Sequence, residues 1–260
     1  MSLDIALKYN YNNKVWIYHS NSLELLKSFN DNSIDLIIAD PPYFLSNDGI
    51  SCSGGKMVSV NKGEWDKVKD ISSEEFYYLF LIEAKRIIKD TGSIWVSGTF
   101  HNIYQVGYLI QKLDMRILNN ITWQKRNPPP NLSCKMFTHS TETIIWASKN
   151  KKSKYIFNYD DMKKENEGKQ MKDVWAFSLT KKSEKAFGKH PTQKPLELLK
   201  RMIKASSKPD DLILDPFLGS GTTGVAAIEL NRRFIGVEIE EEYVDLAINR
   251  VKDTLQKQEE

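Results

Sequence analysis

Asp211-Leu212-Ile213-Leu214-Asp215-Pro216-Phe217-Leu218-Gly219-Ser220-Gly221-Thr222-Thr223 is the stretch from which the rest of the chain can be read. Its apolar run has the length and content of a buried strand, Gly-x-Gly makes a tight turn, and Thr222-Thr223 open a helix. Small residues at such a junction let a ligand approach the backbone, and the helix start offers N–H groups without intrahelical partners. Phe234-Ile235-Gly236-Val237 reads as the next strand, and Glu238 closes it where an acidic side chain commonly grips ribose hydroxyls. The unit points to a nucleotide-like cofactor. It departs from a dinucleotide fingerprint, because Asp215-Pro216-Phe217 is unlike a pyrophosphate site although Gly224 falls in the third-glycine register.

Outward from this unit, seven short β-rich runs recur, at residues 15–19, 34–39, 93–97, 117–123, 141–147, 212–214 and 234–237. Ser72-Ser73-Glu74-Glu75 has capping-box spacing and predicts a helix carrying Phe76, Leu79, Ala84, Ile87 and Ile88 and closing at Gly92. Strands that alternate with helices and read as continuous apolar runs predict a mostly parallel sheet covered on both faces. Residues 46–69, rich in Gly, Ser, Lys and Asn, and residues 150–189, rich in Lys, Glu and Asp, fit neither period. Loops of that length in a compact domain usually bind something.

A second chemical constellation follows the run 35–39, where Asp40-Pro41-Pro42-Tyr43 stands at the carboxyl end of a predicted strand, the edge at which open α/β sheets bind ligands. Prolines fix φ and donate no hydrogen bond, so this backbone is stiff and its carbonyls remain acceptors. A carboxylate at Asp40 and the Pro41 carbonyl would together accept both protons of an exocyclic amino group and draw its lone pair out of conjugation. Tyr43 offers a flat surface for an extruded base. The bland reading of the tetrapeptide is a strand-ending turn with an edge aromatic.

The 260 residues include 37 Lys and Arg against 34 Asp and Glu, a formal charge of +3 that permits an acidic partner without announcing one. Cys52 and Cys134 have no metal-ligand spacing, so neither a disulfide framework nor a metal site is expected. The polar first residues and the lack of an apolar run near the roughly 18 residues of a membrane span predict a soluble cytoplasmic protein.

Asp40-Pro41-Pro42-Tyr43 placed before Phe217-x-Gly219-x-Gly221, with His190-Pro191-Thr192-Gln193-Lys194-Pro195 between them, resembles the permuted, β-class DNA amino-methyltransferases of bacterial restriction–modification systems. Within that family, Asp40 to Asn47, Asn119 to Lys125 and Asn127 to Cys134 are similar to the second adenine methyltransferases of DpnII-type systems. The resemblance implies a seven-stranded, Rossmann-like α/β sheet, circularly permuted, with the early strands forming its middle and far side. It implies a catalytic half over residues 1–149, a target-recognition insertion over 150–189 and a cofactor-binding half over 190–260.

S-adenosylmethionine is the implied cofactor, with Gly219, Ser220, Gly221 and Thr222 around its methionine part, Asp215 and Phe217 beside it, and Glu238 on the ribose. Thr192 and Lys194 would approach the cofactor carboxylate, Asn21 would pair with its adenine, Asp40 would border it, and His190 would stabilise a turn. Asp40-Pro41-Pro42-Tyr43 would be catalytic, and Asp at position 40 favours N6 of adenine, where N4-cytosine enzymes more often carry Ser. The implied substrate is GATC in duplex or single-stranded DNA, the functional partner a cognate restriction endonuclease, and the assembly admits a homodimer.

Lysines at 151, 152, 154, 169, 172, 181, 182, 185 and 189, interleaved with Trp175 and Phe177, are candidate phosphate contacts or a merely solvated surface. Arg126 to Asn131 is a rigid polar loop that either enters a groove or links two strands. The alternatives are an N4-cytosine methyltransferase and a catalytically inert DNA-binding protein of the same fold. A protein glutamine methyltransferase fits less well, since Asn typically stands where Asp40 does and the cofactor half comes first.

Overall fold

The computed structural model describes residues 5–44, 50–53, 56–59, 71–188 and 190–259. In chain order the strands are β1 (Ala6–Tyr11), β2 (Val15–His19), β3 (Ile34–Ala39), β4 (Ile50–Ser53), β5 (Lys56–Ser59), β6 (Ile88–Gly98), β7 (Arg116–Lys125), β8 (Thr141–Ser148), β9 (Val174–Phe177), β10 (Leu212–Asp215) and β11 (Arg233–Glu238). The helices are α1 (Ser22–Ser28), α2 (Ser73–Ile87), α3 (Ile103–Lys112), α4 (Tyr159–Glu165), α5 (Leu196–Ser206), α6 (Thr222–Glu229) and α7 (Glu241–Glu259). All seven expected runs are strands. The main sheet has nine, in the order β1-β2-β11-β10-β3-β6-β8-β7-β9, and β4 and β5 pair as a separate hairpin. The rest of the stretch 46–69 lies outside the described residues.

β2, β11, β10, β3 and β6 run parallel, whereas β8 is antiparallel to β6 and β7, and β1 is antiparallel to β2. The expected placement of the early strands needs correction. β10 and β11 complete the sheet by inserting between β2 and β3, so β1 and β2 lie on the opposite side of them from the other early strands. From β10 the chain crosses through α6 to β11, while from β3 it crosses through α2 to β6 on the other side. Neighbouring strands β10 and β3 therefore send their crossovers in opposite directions, and the sheet opens a crevice at their carboxyl ends.

Alternate side chains of the central strands supply two cores, one on each face. Leu36 and Ile38 of β3 join Leu198, Met202, Ala226 and Val244 from α5, α6 and α7. Ile37 and Ala39 join Leu25, Tyr77, Phe80 and Ile110 from α1, α2 and α3. Trp95 and Trp146 stack in the first core with centroids 4.9 Å apart and planes 4° apart, and the Trp95 indole donates to Ser206 Oγ at 2.9 Å.

Four further expectations change. β1 lacks an apolar run and is not among the expected strands; it pairs Tyr11 with Val15 across the three-residue connection Asn12-Asn13-Lys14, where Asn12 and Asn13 both have positive φ (47° and 51°), a twist that suits a hairpin. α2 is capped as expected, Ser72 Oγ accepting from Glu75 N at 3.1 Å, but it ends at Ile87 rather than at Gly92. Within the stretch expected as an insertion, β9 pairs in parallel with β7 and joins the main sheet, and Trp175 is only 4% exposed, so this ring is core and no DNA surface. Lys151, Lys152 and Lys154 follow Ser148, which pairs with Ser93 at the start of the apolar part of β6. They sit at the sheet edge opposite Asp40.

Gly92 is required by β3 rather than by a helix end, because a Cβ there would lie 2.6 Å from the Asp35 carbonyl oxygen and 2.8 Å from Ile88 Cγ1. Gly92→Ala is expected to lower unfolding stability by about 1–3 kcal/mol through this overpacking, with an unchanged denaturant slope in urea melts.

Candidate active site

The crevice between β3 and β10 is a cleft of about 1230 Å³, counting the space open to solvent. Asp40 leaves the end of β3, Asp215 ends β10 and Glu238 ends β11, so three carboxylates converge from adjacent strands. All of the expected site residues line it except one: Asn21, Asp40, Pro41, Pro42, Tyr43, Thr192, Lys194, Asp215, Phe217, Gly219, Ser220, Thr222 and Glu238. Gly221 does not. It turns the chain with φ +77° and packs against α7, where a Cβ would come within 2.8 Å of Ala247 Cβ. Its role is the approach of α6 to α7.

The glycine turn is fixed from both ends. Gly219 N donates to Glu238 Oε2 at 2.7 Å, and Glu238 Oε1 accepts from Ile239 N and Glu240 N at 2.9 and 3.0 Å. From α7, buried Arg250 donates to Ser220 O at 2.7 Å and to Ser220 Oγ and Thr222 Oγ1, both at 3.0 Å. Burial raises the Glu238 carboxyl above its usual range, partly offset by these backbone donors. Asp215 is shifted further. Burial, reinforced by the neighbouring Asp40 and Glu238, pushes it from 3.8 to about 7 although Thr223 and Phe217 N donate to it.

A cationic, nucleoside-bearing ligand fits this end of the cleft. Gly219 leaves room that a side chain would fill, with the His190 ring 3.3 Å from the position of a Cβ, and φ there is +50°. Among the described residues Asp215 has no lysine or arginine ion-paired to it. A positive group on the ligand would supply that missing partner. Asn21 is less available than expected, because its Oδ1 caps α1 by accepting from Glu24 N at 3.3 Å, leaving its amide N–H groups toward the cleft.

The other end of the cleft departs most from expectation. Lys194, expected at the cofactor carboxylate, has its ammonium hydrogen-bonded to Asp40 Oδ2, 3.2 Å from Tyr43 OH and 3.5 Å from Glu142 Oε2. Tyr43 OH donates to Asp40 Oδ1 at 2.5 Å. The Tyr43 ring is 8% exposed, with the Lys194 ammonium 5.5 Å from its centroid, so it is no open platform in this state. Burial opposes the charge on Lys194, but Asp40 and Glu142 outweigh it and raise the ammonium above its usual range. The Tyr43 hydroxyl is pushed well up by burial and by the same two carboxylates. Tyr77 OH donates to Pro42 O at 2.6 Å and ties the tetrapeptide to α2.

Sequence reasoning missed Glu142 and Tyr243. Glu142 sits between Thr141 and Thr143 at the start of β8, a charge inside a predicted strand that was a usable signal. His190, expected only to brace a turn, accepts from Thr192 N through Nδ1 at 3.3 Å and packs edge-on against Tyr243, 4.4 Å between centroids, while lining the cleft.

An α/β sheet whose crevice at the switch point is lined by carboxylates, with a glycine turn under one half and Asp40-Pro41-Pro42-Tyr43 in the other, is the arrangement of an S-adenosylmethionine-dependent methyltransferase. A family model described as DNA methylase matches residues 34–249. Type II methyltransferase M2.DpnII of Streptococcus pneumoniae is 57% identical over 92% of this chain and 90% of its own. M2.MboI of Moraxella bovis is 52% identical over 90% and 86%. Among solved structures, the M1.HpyAVI–SAM complex superposes with TM-score 0.67 at 27% identity, covering 91% of this chain and 98% of that one. The chain belongs to the DNA methylase family and is an S-adenosylmethionine-dependent methyltransferase. The PvuII cytosine-N4-specific enzyme, at TM-score 0.72 and 21% identity over 95% and 96%, shares the fold.

Asp215 gives the cofactor end a pH dependence. Its carboxyl is raised on folding, so in the unliganded protein its contribution to stability is fully present below 3.8 and lost as pH rises through about 7. A cation beside it favours the ionised form. Affinity for S-adenosylmethionine is expected to rise by up to about tenfold per pH unit below neutrality, with proton release in calorimetry, and Asp215→Asn is expected to flatten that slope. Gly219→Asp is expected to abolish cofactor binding by closing the space under the turn, as read by the same calorimetry.

Proposed function

We propose that this enzyme methylates N6 of adenine in GATC within a restriction–modification system, and that Asp40 is the group that activates the target nitrogen. The observation that carries the reading is the position of Asp40: a carboxylate at the end of β3, in the same cleft as Asp215 and close enough to raise its pKa. S-adenosylmethionine supplies a methyl group on a sulfonium. Asp40 and the Pro41 carbonyl accept the two amino protons, so the nitrogen lone pair turns out of conjugation toward that methyl group. Tyr43 flanks the base once the base has entered. Asp rather than Ser at position 40 favours adenine over the N4-cytosine alternative, and the intact tetrapeptide argues against an inert binding protein.

The GATC target is supported by the similarity to the DpnII- and MboI-named relatives. A base inside a duplex is unreachable at N6, so the target is extruded into the cleft or taken single-stranded. The DNA side is then the sheet edge that carries Asp40. The loop from Arg126 to Ser140 joins β7 to β8 at that edge and holds Phe137, 95% exposed, and Met136, 62% exposed. Lys181, Lys182 and Lys185 follow β9 at the same edge and are the phosphate contacts of this reading; Lys189 lies outside the described residues. The endonuclease of the system is a functional partner, a homodimer is the assembly the family likeness favours, and the cytoplasm is where such DNA is met. No helix among the described residues is long and apolar enough to cross a membrane.

Asp40→Asn is expected to reduce methyl transfer to a GATC duplex by roughly 10²–10⁴-fold while S-adenosylmethionine affinity in calorimetry stays near wild type. Label from the cofactor should appear in N6-methyladenine after digestion of the DNA. Label in cytosine or in protein, or full transfer by the variant, contradicts the reading.

A further inference from the structure

The carboxylate that is to accept the target amino group is already taken. Lys194 and Tyr43 both donate to Asp40, one to each oxygen. For an amino group to bind there, the lysine has to withdraw, and the same withdrawal uncovers the Tyr43 ring over which its ammonium lies. Lys194 is 9% exposed, and a buried ammonium released without a partner carries a large desolvation cost.

A partner stands ready on β8. Glu142 Oε2 is buried and ion-paired with the Lys194 ammonium at 3.5 Å, a long contact, and accepts no hydrogen bond of good geometry from any described residue. A buried carboxylate oxygen left in that condition is itself unfavourable unless something occupies it in another state. Its other oxygen, Oε1, is held by Lys125 at 2.7 Å, so the carboxylate is anchored while Oε2 faces the lysine. Lysine suits such a transfer because its three N–H groups sit on a flexible stem and tolerate a change of acceptor. Glu142 does not line the cofactor cleft.

We infer that Glu142 is a positioning residue for the target base: it takes the Lys194 ammonium when the adenine amino group displaces that ammonium from Asp40. The inference rests on the assignment of Asp40 as the acceptor of the amino group. The lysine then works as a placeholder. It keeps Asp40 neutralised while the cleft lacks a base, and a move toward Glu142 that shortens the 3.5 Å separation to an ordinary hydrogen bond draws it off carboxylate and ring together. A base without a correctly placed amino group has nothing with which to displace it, so the exchange favours adenine over bases that lack the donor.

The test uses the full chain with S-adenosylhomocysteine and two GATC duplexes, one with adenine and one with purine, which lacks the amino group, at the target position. In the wild type the adenine duplex should bind more tightly. Glu142→Gln keeps the shape and the acceptor for Lys125 but removes the charge. It should weaken adenine-duplex binding about tenfold and slow methyl transfer, leave the purine duplex and cofactor affinity unchanged, and have no further effect in a Lys194→Met background. Glu142→Asp, which retains the charge, should recover part of the loss, and thermal melts identify any variant that fails to fold. Equal loss on both duplexes, no loss on either, or the same loss with Lys194→Met in place overturns the role of Glu142. A wild type that binds both duplexes alike removes the Asp40 assignment and this inference with it. A discriminating wild type with an indifferent Glu142→Gln removes the inference alone.

Discussion

The reversal of crossover direction between β10 and β3 is the constraint on which the rest depends. A right-handed crossover from each strand carries its helix away from the other, so no helix covers the carboxyl ends of this central pair. The crevice is thus a consequence of strand order, and its depth is set by how the two cores fill the faces below it. The insertion of β10 and β11 between β2 and β3 brings the two halves of the chain into register there. Asp40 and Asp215 are 175 positions apart in sequence by subtraction, yet end neighbouring strands. Permutation changes which residues come first and leaves this adjacency intact.

What the crevice collects is mostly negative. Asp40, Asp215 and Glu238 line it, Glu142 stands behind Lys194, and Lys194, with Lys125 behind Glu142, supplies the nearby positive charge. These groups divide into two electrostatic regions. At one end burial and mutual repulsion leave Asp215 half-protonated near neutrality, a site in need of a cation. At the other, two lysines interleaved with two carboxylates keep Glu142 below the usual carboxylate range, the lysines outweighing its burial. A cationic cofactor suits the first region, and an uncharged donor that replaces an ammonium suits the second.

Much of this was legible in the sequence because it is local. Apolar runs of strand length, a glycine turn and the tetrapeptide at a strand end each read correctly from their own neighbours. The pieces that escaped depend on distant contacts. β1 alternates half-exposed tyrosines with polar residues and becomes a strand only because β2 offers an edge; the Asn12-Asn13 turn was its local trace. Gly92 ends no helix because its freedom is used against Asp35 O across the sheet. Trp175 sits among lysines in sequence but against Trp95 and Arg201 in space. Lys194 was assigned to the cofactor from a motif, and its partner Glu142 comes from a strand 52 positions earlier by subtraction. A pairing of that kind leaves no periodic signature.

The negative cleft also explains how a polyanion can be the substrate of such a site. Phosphates would be repelled by the three converging carboxylates Asp40, Asp215 and Glu238, whose fields are weakly screened inside the protein, an arrangement that favours a DNA backbone at the rim over one drawn in. Cations available at the rim include Arg126, Lys135, Lys181, Lys182 and Lys185, on the segments that follow β7 and β9 at the Asp40 edge. An extruded base is uncharged and pays no such repulsion. On the proposed role of Asp40, charge would sort the two parts of one nucleotide: the phosphates on the basic loops and the base alone at Asp40, where a hydrogen-bond donor would replace lysine.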